Sequence, residues 1–478
     1  MTVAAPERAP TLQGWRFGIV LLGIVFVLHI PMFTTPVWDN DETYIATVAE
    51  VMSQGGELYV DVFDRKPPLV FLVYQGAFAV TGTTELWGPR ILGVVSLAAT
   101  AGLVAMFARR RYGDRAALYA GIFSALTTAT LLPRDAQSAN FEVFMLPGIA
   151  AAMVLADRKR SGWAGVALGV AACFKQTALT TLLPLAWLAW RDRRWRALVS
   201  LGTGTVAPLL VVAVVFGPRD FVFWVFTGNE GYLDVGGDWG LVLSRMVQMT
   251  LWVALLNVAL VILATTVWRQ PRRDADVWFW LLSGLIGAFA GLRFWGHYYW
   301  QVLPPLCVLA ASALVGRPRV IARAALVVTA SIAVGAVAVA LLDPDVPPAE
   351  PWKPIAEYVE NNTEPGDRIF VWGHVSEVYW ASDRLPATQL VTTGFLTGHT
   401  GGRPPDRVGM DLAVPGVWDD FMERLESESP AMILVMTDSG IRSAEHYPPE
   451  DFPRFAEFLD ENYEQVDRVN GVDVYEPR

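Results

Sequence analysis

The feature that most constrains this chain is a succession of apolar runs about as long as a lipid bilayer is thick. Residues 17–33, roughly 88–108, 116–132, 197–216, 241–267, 277–292 and 320–342 carry at most one charged residue each. A helix needs about 20 apolar residues to cross the hydrocarbon core. With 53% hydrophobic and only 18% charged residues, the 478-residue chain is too apolar for a soluble protein of this size. It reads as an α-helical polytopic membrane protein. The first run follows Arg8 and Arg16 but lacks a small-residue cleavage site, so it is expected to stay as an uncleaved span. Cys173 and Cys307 lie in separate apolar segments and read as buried thiols rather than a disulfide.

Short basic loops mark the cytoplasmic side of such a protein. Here they are 109–115 (RRRYGDR), 157–160 (DRKR), 191–196 (RDRRWR), 269–273 (RQPRR) and 316–323 (GRPRVIAR). The acidic or neutral segments between them, such as 34–66 and 217–240, are expected outside. The apolar stretch 162–190 has basic flanks on both sides, so it should go out and return, with Lys175 at the outer turn. Segment 67–81 is too short to span and should lie along the outer interface. The count is about eleven transmembrane helices, with the N-terminus cytoplasmic in the inner or plasma membrane. Residues 1–342 form the membrane domain, including a first outer loop over 34–86 with interfacial helices.

After residue 342 the composition turns acidic and mixed. IFVWG (369–373) and AMILVM (431–436) read as short buried strands, and 417–427 and 452–462 as amphipathic helices. Asn470-Gly471 between two alternating runs is a hairpin signal. Residues 343–478 are therefore expected as an extracytoplasmic soluble α/β domain. No catalytic cluster stands out there; His374 and His399 look isolated, and a supporting role is expected. The net charge of −10 argues against nucleic acid as a partner.

Polar residues at membrane depth are costly and are functional candidates by default. The densest set is in the first outer loop, WDNDETYIA (38–46) followed by YVDVFDRKPPLVF (59–71). Asp39 or Asn40 can cap a surface helix over 43–54, with Asp41 and Glu42 in its first turn, and capping alone would explain the acids. The lysines add something that capping does not. The chain has only four, Lys66, Lys159, Lys175 and Lys353, and two of them, Lys66 and Lys175, fall on the outer side beside apolar sequence. A compact ammonium suits phosphate, although snorkelling to headgroups is the simpler alternative. PRDAQSANFEVF (133–144) adds Arg134, Asp135, Asn140 and Glu142. GLRFWGHYYWQVLPP (291–305) adds Arg293, His297, Tyr298 and Tyr299, and TGNEGY (227–232) adds Asn229 and Glu230. Carboxylates, cations and aromatics gathered on one face suit an amphiphile with a phosphate and a polar head.

A D-E-x-x-Y motif after the first span, K-P-P some twenty residues later and H-Y before a late span resemble the GT-C glycosyltransferases, near the protein O-mannosyltransferases and lipid A aminoarabinose transferases. The resemblance covers roughly 15–315. It implies transfer of a sugar, hexosyl or pentosyl, from a polyprenyl-phosphate-linked donor to a hydroxyl of a glycan, lipid or protein acceptor on the extracytoplasmic face. It also implies roles. Asp41 matches the family's base, with Glu42 and Glu142 as further acids. Lys66 matches the K-P-P lysine, and His297 the H-Y motif; Arg134, Lys175 and Arg293 are further phosphate-binding candidates. Tyr44, Asp64, Asn140 and Tyr298 are expected to line the substrate site. The aminoarabinose transferases have Glu directly before that lysine and can bind a divalent metal ion nearby; here Arg65 stands there, with Asp64 one position back, which leaves a metal cofactor open.

Acids plus cations suit an inverting transfer. A base takes the acceptor proton, cations meet the charge developing on the departing phosphate, and no general acid is needed, unlike a glycoside hydrolase. Two other classes compete. A transporter of a lipid-linked or anionic solute would place polar residues at the bilayer midplane on repeat-related broken helices. A non-catalytic membrane scaffold would tolerate replacement of Asp41, Lys66 and Glu142.

Overall fold

In the computed structural model, residues 14–191, 195–229, 237–268, 271–401 and 407–478 are described. Among them, four helices are long and apolar enough to cross a membrane: Trp87–Tyr112, Trp195–Val215, Trp239–Leu256 and Arg319–Leu342. Shorter apolar helices are Gly14–Leu28, Leu69–Thr81, Ser161–Ala172 and Val258–Val267. We label Gly14–Leu28 α1, Asn40–Ser53 α2, Leu69–Thr81 α3 and Trp87–Tyr112 α4.

One expected run is interrupted, and one expected break is present at Lys175. The stretch 241–267, read as one run, breaks at Asn257, whose Oδ1 accepts from the Thr130 hydroxyl at 2.9 Å while its Nδ2 donates to the Val253 carbonyl. A buried amide that finds side-chain and carbonyl partners offers the backbone an alternative to a continuous helix. The stretch 162–190 folds as helix Ser161–Ala172, a short 3₁₀ segment after Lys175, and helix Leu182–Arg191. Small residues let Ser161–Ala172 pack against Trp195–Val215: a Cβ at Gly165 would meet the Thr205 amide at 2.8 Å, the close backbone approach that small residues permit between membrane helices.

The basic loops converge at one end of the helices. Arg110 and Arg111 both pair with Asp157, Arg111 also with Asp276, and Arg115 donates to the Arg317 carbonyl at 3.0 Å. Of the loops 191–196 and 269–273, residues 192–194 and 269–270 lie outside the described residues. Helix α4 runs from this end to the other. At about 1.5 Å per residue, Arg90 and Arg111 on α4 stand about 30 Å apart, close to the thickness of a hydrocarbon core.

Beyond Leu342 the chain forms a five-stranded mixed sheet of order β2-β1-β3-β5-β4: β1 Arg368–Trp372, β2 Leu385–Pro386, β3 Met432–Val435, β4 Tyr463–Val469 and β5 Val472–Pro477. β1 runs parallel to β2 and β3, and β5 antiparallel to β3 and β4. The apolar runs around 369–373 and 431–436 are buried strands, and Asn470-Gly471, both at positive φ, turn the hairpin, as a two-residue loop of this composition requires. Helices Lys353–Asn362, Val417–Glu428 and Pro453–Asn462 pack on the sheet. One continuous core links this unit to the membrane helices, reaching from Leu21 and Val25 to Phe370 and Val474. Polar contacts seal the joint. Thr43 and Ser376 share a hydrogen bond of 2.9 Å, Trp380 donates to the Thr84 carbonyl at 3.0 Å, and Arg424 pairs with Asp61 at 2.7 Å.

Candidate functional site

A cavity of about 560 Å³ lies at this joint, at the end of the helices away from the basic loops. Its floor comes from the first outer loop. Asp39 caps α2, accepting from the Asp41 amide at 3.0 Å, and Asp41 and Glu42 occupy the first turn. Asn40 does not cap; its side-chain oxygen accepts from Arg134 at 3.2 Å.

Successive residues on a helix point about 100° apart, and these two acids part company accordingly. Glu42 is fully buried and does not line the cavity. Arg90 grips it through Nε at 3.0 Å and NH2 at 2.8 Å, and it also accepts from the Ala139 amide at 3.0 Å. Arg90 further donates to the carbonyls of Met32, Thr35 and Pro36, so this ion pair ties together the end of the first span, α2, α4 and the loop before residue 141. Asp41 faces the cavity. Among the described residues no side chain hydrogen-bonds or ion-pairs with its carboxylate. Burial and the neighbouring Asp39 push its carboxyl above the usual carboxylate range, against the attraction of His297 and Lys66. Asp39 goes the other way despite its burial, held low by Arg134, whose Nε lies 2.8 Å from it, and by His297.

The K-P-P lysine reaches the same cavity. Asp64 accepts from the Lys66 amide at 3.0 Å in a tight turn, Tyr59 donates to the Lys66 carbonyl at 2.7 Å, and Pro67-Pro68 lead into α3. Lys66 Nζ stands 4.0 Å from Asp64 and 5.0 Å from the Phe141 ring centre. Burial pushes the Asp64 carboxyl up, opposed by Lys66. Tyr44 also lines the cavity and ties its hydroxyl to the Phe63 carbonyl at 2.8 Å.

His297 lies on the wall. Its amide and Nδ1 both meet Asp135 Oδ1, at 2.8 and 3.0 Å, and a Cβ at Gly296 would collide with the same carboxylate, so only glycine fits before the histidine. Burial alone would lower the imidazole pKa, but Glu142, Asp135 and Asp41 raise it to about 9. Lys175 and Glu142 are buried and paired with each other behind the wall; Lys175 Nζ also sits 4.1 Å from the ring centre of Tyr298, which lines the cavity. Arg293 is buried outside the lining, close enough for its charge to act on Arg245, which does line it. Asn140 is buried and donates to Ser138 at 3.3 Å. Glu230 lies outside the described residues, as does the side chain of Asn229.

Five of the expected site residues thus stand off the cavity: Glu42, Glu142, Lys175, Arg293 and Asn140. Several others that line it escaped the sequence reading: Arg65, whose guanidinium stacks 4.7 Å from the Phe395 ring centre, Arg245, Trp295 and Arg442. The largest correction concerns the C-terminal unit. It is not a bystander, because His374, Thr392, Phe395, His399, Thr400 and Arg442 roof the cavity, and the rings of His374 and His399 lie 6.3 Å apart. No local signal marked them; only the docking of the sheet onto the first loop brings them in.

The position where the aminoarabinose transferases carry a carboxylate holds the Arg65 cation, and among the described residues no group of three His, Cys, Asp or Glu side chains converges.

The fold has solved counterparts. ArnT from Cupriavidus metallidurans bound to undecaprenyl phosphate superposes with a TM-score of 0.65 at 17% identity, covering 97% of this chain and 98% of that one. The oligosaccharyltransferase of Archaeoglobus fulgidus superposes with a TM-score of 0.57 at 11% identity, covering 98% of this chain and 75% of that one. The chain is a membrane protein with the GT-C fold that its motifs resemble. Residues 65–218 match the model of the dolichyl-phosphate-mannose-protein mannosyltransferase family. More particularly, the sequence is similar to the undecaprenyl phosphate-alpha-4-amino-4-deoxy-L-arabinose arabinosyl transferase of Pseudomonas aeruginosa, 27% identical over 342 residues. That match covers 64% of this chain, and the chain spans 60% of the length of that curated relative.

Proposed function

We propose that the chain is an integral membrane glycosyltransferase of the cell envelope. It transfers a sugar from a polyprenyl-phosphate-linked donor to an acceptor hydroxyl with inversion. The single observation that carries this reading is Asp41, a carboxylate with no ionic partner among the described residues, fixed by a capped helix turn and facing the same cavity as Lys66. Likeness to the aminoarabinose transferases supports the donor class. The clustering of Arg110, Arg111 and Arg115 at the opposite end supports a cytoplasmic orientation of that end and an extracytoplasmic cavity.

In this reading the acceptor hydroxyl gives its proton to Asp41 as its oxygen bonds to the anomeric carbon. The bond between that carbon and the phosphate oxygen breaks, and the electron pair leaves on polyprenyl phosphate. A carboxyl with a raised pKa is a stronger base toward an alcohol than an ordinary one. Lys66, Arg134 and Arg245 offer positive charge to the leaving phosphate. His297, held as an imidazolium by Asp135, adds to that charge and favours the ionised form of Asp41. Glu142 and Lys175 neutralise one another and position Tyr298. Glu42 positions Asp41 through Arg90.

The test is release of polyprenyl phosphate from a polyprenyl-phosphate-sugar donor by the full chain in lipid nanodiscs. Asp41→Asn and Lys66→Ala variants that remain folded should lose transfer; full transfer by either ends its assigned role. Solute flux without release of polyprenyl phosphate would favour a transporter.

A further inference from the structure

The basic end of the helices does not treat all its cations alike. Arg109, Arg110, Arg111 and Arg115 each meet a carboxylate or a carbonyl of the protein. The loop 157–160, Asp-Arg-Lys-Arg, is arranged differently. Its one acid is spent elsewhere, because the two oxygens of Asp157 accept from Arg110 and Arg111. Among the described residues no hydrogen bond or ion pair engages the exposed guanidinium of Arg160. Its neighbour Lys159 stands in the left-handed region, at φ 58°, where the chain leaves helix Phe141–Asp157. The Arg160 amide donates back to the Leu155 carbonyl at 2.9 Å, and the Lys159 amide to the Ala156 carbonyl at 2.8 Å. Such a helix ending favours glycine, which takes the left-handed conformation without steric cost. A lysine there keeps a cation where the backbone alone would favour its loss.

Both cations open onto a shallow groove of about 690 Å³ between the ends of helices Ser161–Ala172 and Trp195–Val215. Ser161 and Ser200 also line it. A Cβ on Gly162 would come within 2.8 Å of Ser200 Oγ, so that hydroxyl lies over the start of the neighbouring helix. Neither serine hydroxyl has a hydrogen-bond partner among the described residues. By sequence, the loop 191–196 leading into the second helix adds four arginines against one aspartate. The exposed indoles of Trp163, Trp190 and Trp195 set the depth, since tryptophan collects at the headgroup level of a bilayer. Further along the same two helices, Val170 and Val206 are exposed and apolar.

Two cations and two hydroxyls at headgroup depth, with an apolar track beyond them, match a phosphodiester that carries acyl chains. Basic pockets between spans on the cytoplasmic side, as we read this end, are where anionic headgroups lodge. A free phosphate would use the cations but leave the track and the indoles without a role.

We propose that this groove holds an anionic glycerophospholipid, with its phosphate on Lys159 and Arg160 and its chains along the two helices. Such a lipid would sit here whatever reaction the far cavity performs, so the two readings fail separately. The full chain in a non-ionic detergent is titrated with phosphatidylglycerol, with phosphatidylcholine of the same chains and with inorganic phosphate, and retention is read by native mass spectrometry.

The wild type should hold phosphatidylglycerol more tightly than phosphatidylcholine, and inorganic phosphate should not displace it. Arg160→Gln should weaken phosphatidylglycerol by about five-fold, the worth of one cation at a lipid surface, and Lys159→Gly with Arg160→Gln by roughly thirty-fold. Lys159→Gly also relieves the left-handed strain, so it should fold at least as well as the wild type and keeps the test open if Arg160→Gln does not fold. Arg109→Gln removes a cation already paired with Asp114 and should stay within about two-fold of the wild type. Equal retention of the two lipids, displacement by inorganic phosphate, an equal loss in Arg109→Gln, or unchanged retention in the double variant overturns the proposal.

Discussion

The two ends of α4 handle charge in opposite ways. At the basic end Arg109, Arg110 and Arg111 meet Asp114, Asp157 and Asp276 side chain by side chain, so these charges are matched locally. At the other end Arg90 is matched too, but its partner Glu42 is the direct neighbour of Asp41, which has no ionic partner among the described residues. The contrast separates the two tasks of buried charge. A matched pair fixes geometry, whereas an unmatched group faces whatever enters the cavity.

The strongest way to break this contrast is to unmatch the pair. Arg90→Ala leaves the fully buried Glu42 carboxylate without its cation, and breaking such a pair costs about 3–5 kcal/mol. Thermal unfolding in nanodiscs should show a large drop in midpoint; an unchanged midpoint would mean the pair is not the clamp described. Asp41→Asn should do the reverse, with transfer falling by roughly 10²–10⁴-fold, the range for a lost general base, while the unfolding midpoint holds or rises.

The pH dependence sharpens the comparison further. With its pKa raised, Asp41 should give an acid limb of transfer that turns above the ordinary carboxylate range. The stability sign also follows: folded Asp41 keeps its proton longer than unfolded, so stability falls as pH rises past the unfolded carboxylate value. His297 is raised from 6.5 to about 9, so its stabilisation is complete below 6.5 and is lost as pH rises toward 9. Asp135→Asn removes one of the carboxylates responsible and should shift that loss to lower pH in unfolding titrations; no shift would deny Asp135 its part. The smallest effect belongs to the basic end. Arg109→Ala breaks a pair whose partners are both more than half exposed or close to it, and it should change stability by less than about 1 kcal/mol.

Much of the floor was legible in the sequence. An Asp before an apolar-periodic run gave the cap, rare outward lysines gave Lys66, and G-H-Y-Y gave His297. The division between Asp41 and Glu42 was not legible from the motif, although the 100° step of a helix guarantees that adjacent acids face different ways. Arg90 was the missing signal: a lone guanidinium near the start of the run 88–108 needs a buried acid, and Glu42 supplies it. Lys175 and Glu142 were both singled out, yet their pairing rests on a turn between two short helices that charge patterns do not specify. The roof was out of reach for a plainer reason. Thr43 meets Ser376 across 333 positions, and such docking depends on the shape of two finished surfaces rather than on any local pattern.

Helix α4 also works as a ruler. Its arginines are anchored at both ends, Arg90 on Glu42 beside Asp41 and Arg111 on Asp276 of the helix Pro271–Phe289. A bilayer thinner or thicker than the span between them is met by tilt or by local deformation of the lipid. Because Arg90 is bonded to the same loop that sets the direction of Asp41, any such tilt is passed to the cavity floor. For the proposed transferase, the expected outcome is a transfer rate that changes with the acyl-chain length of the nanodisc lipid.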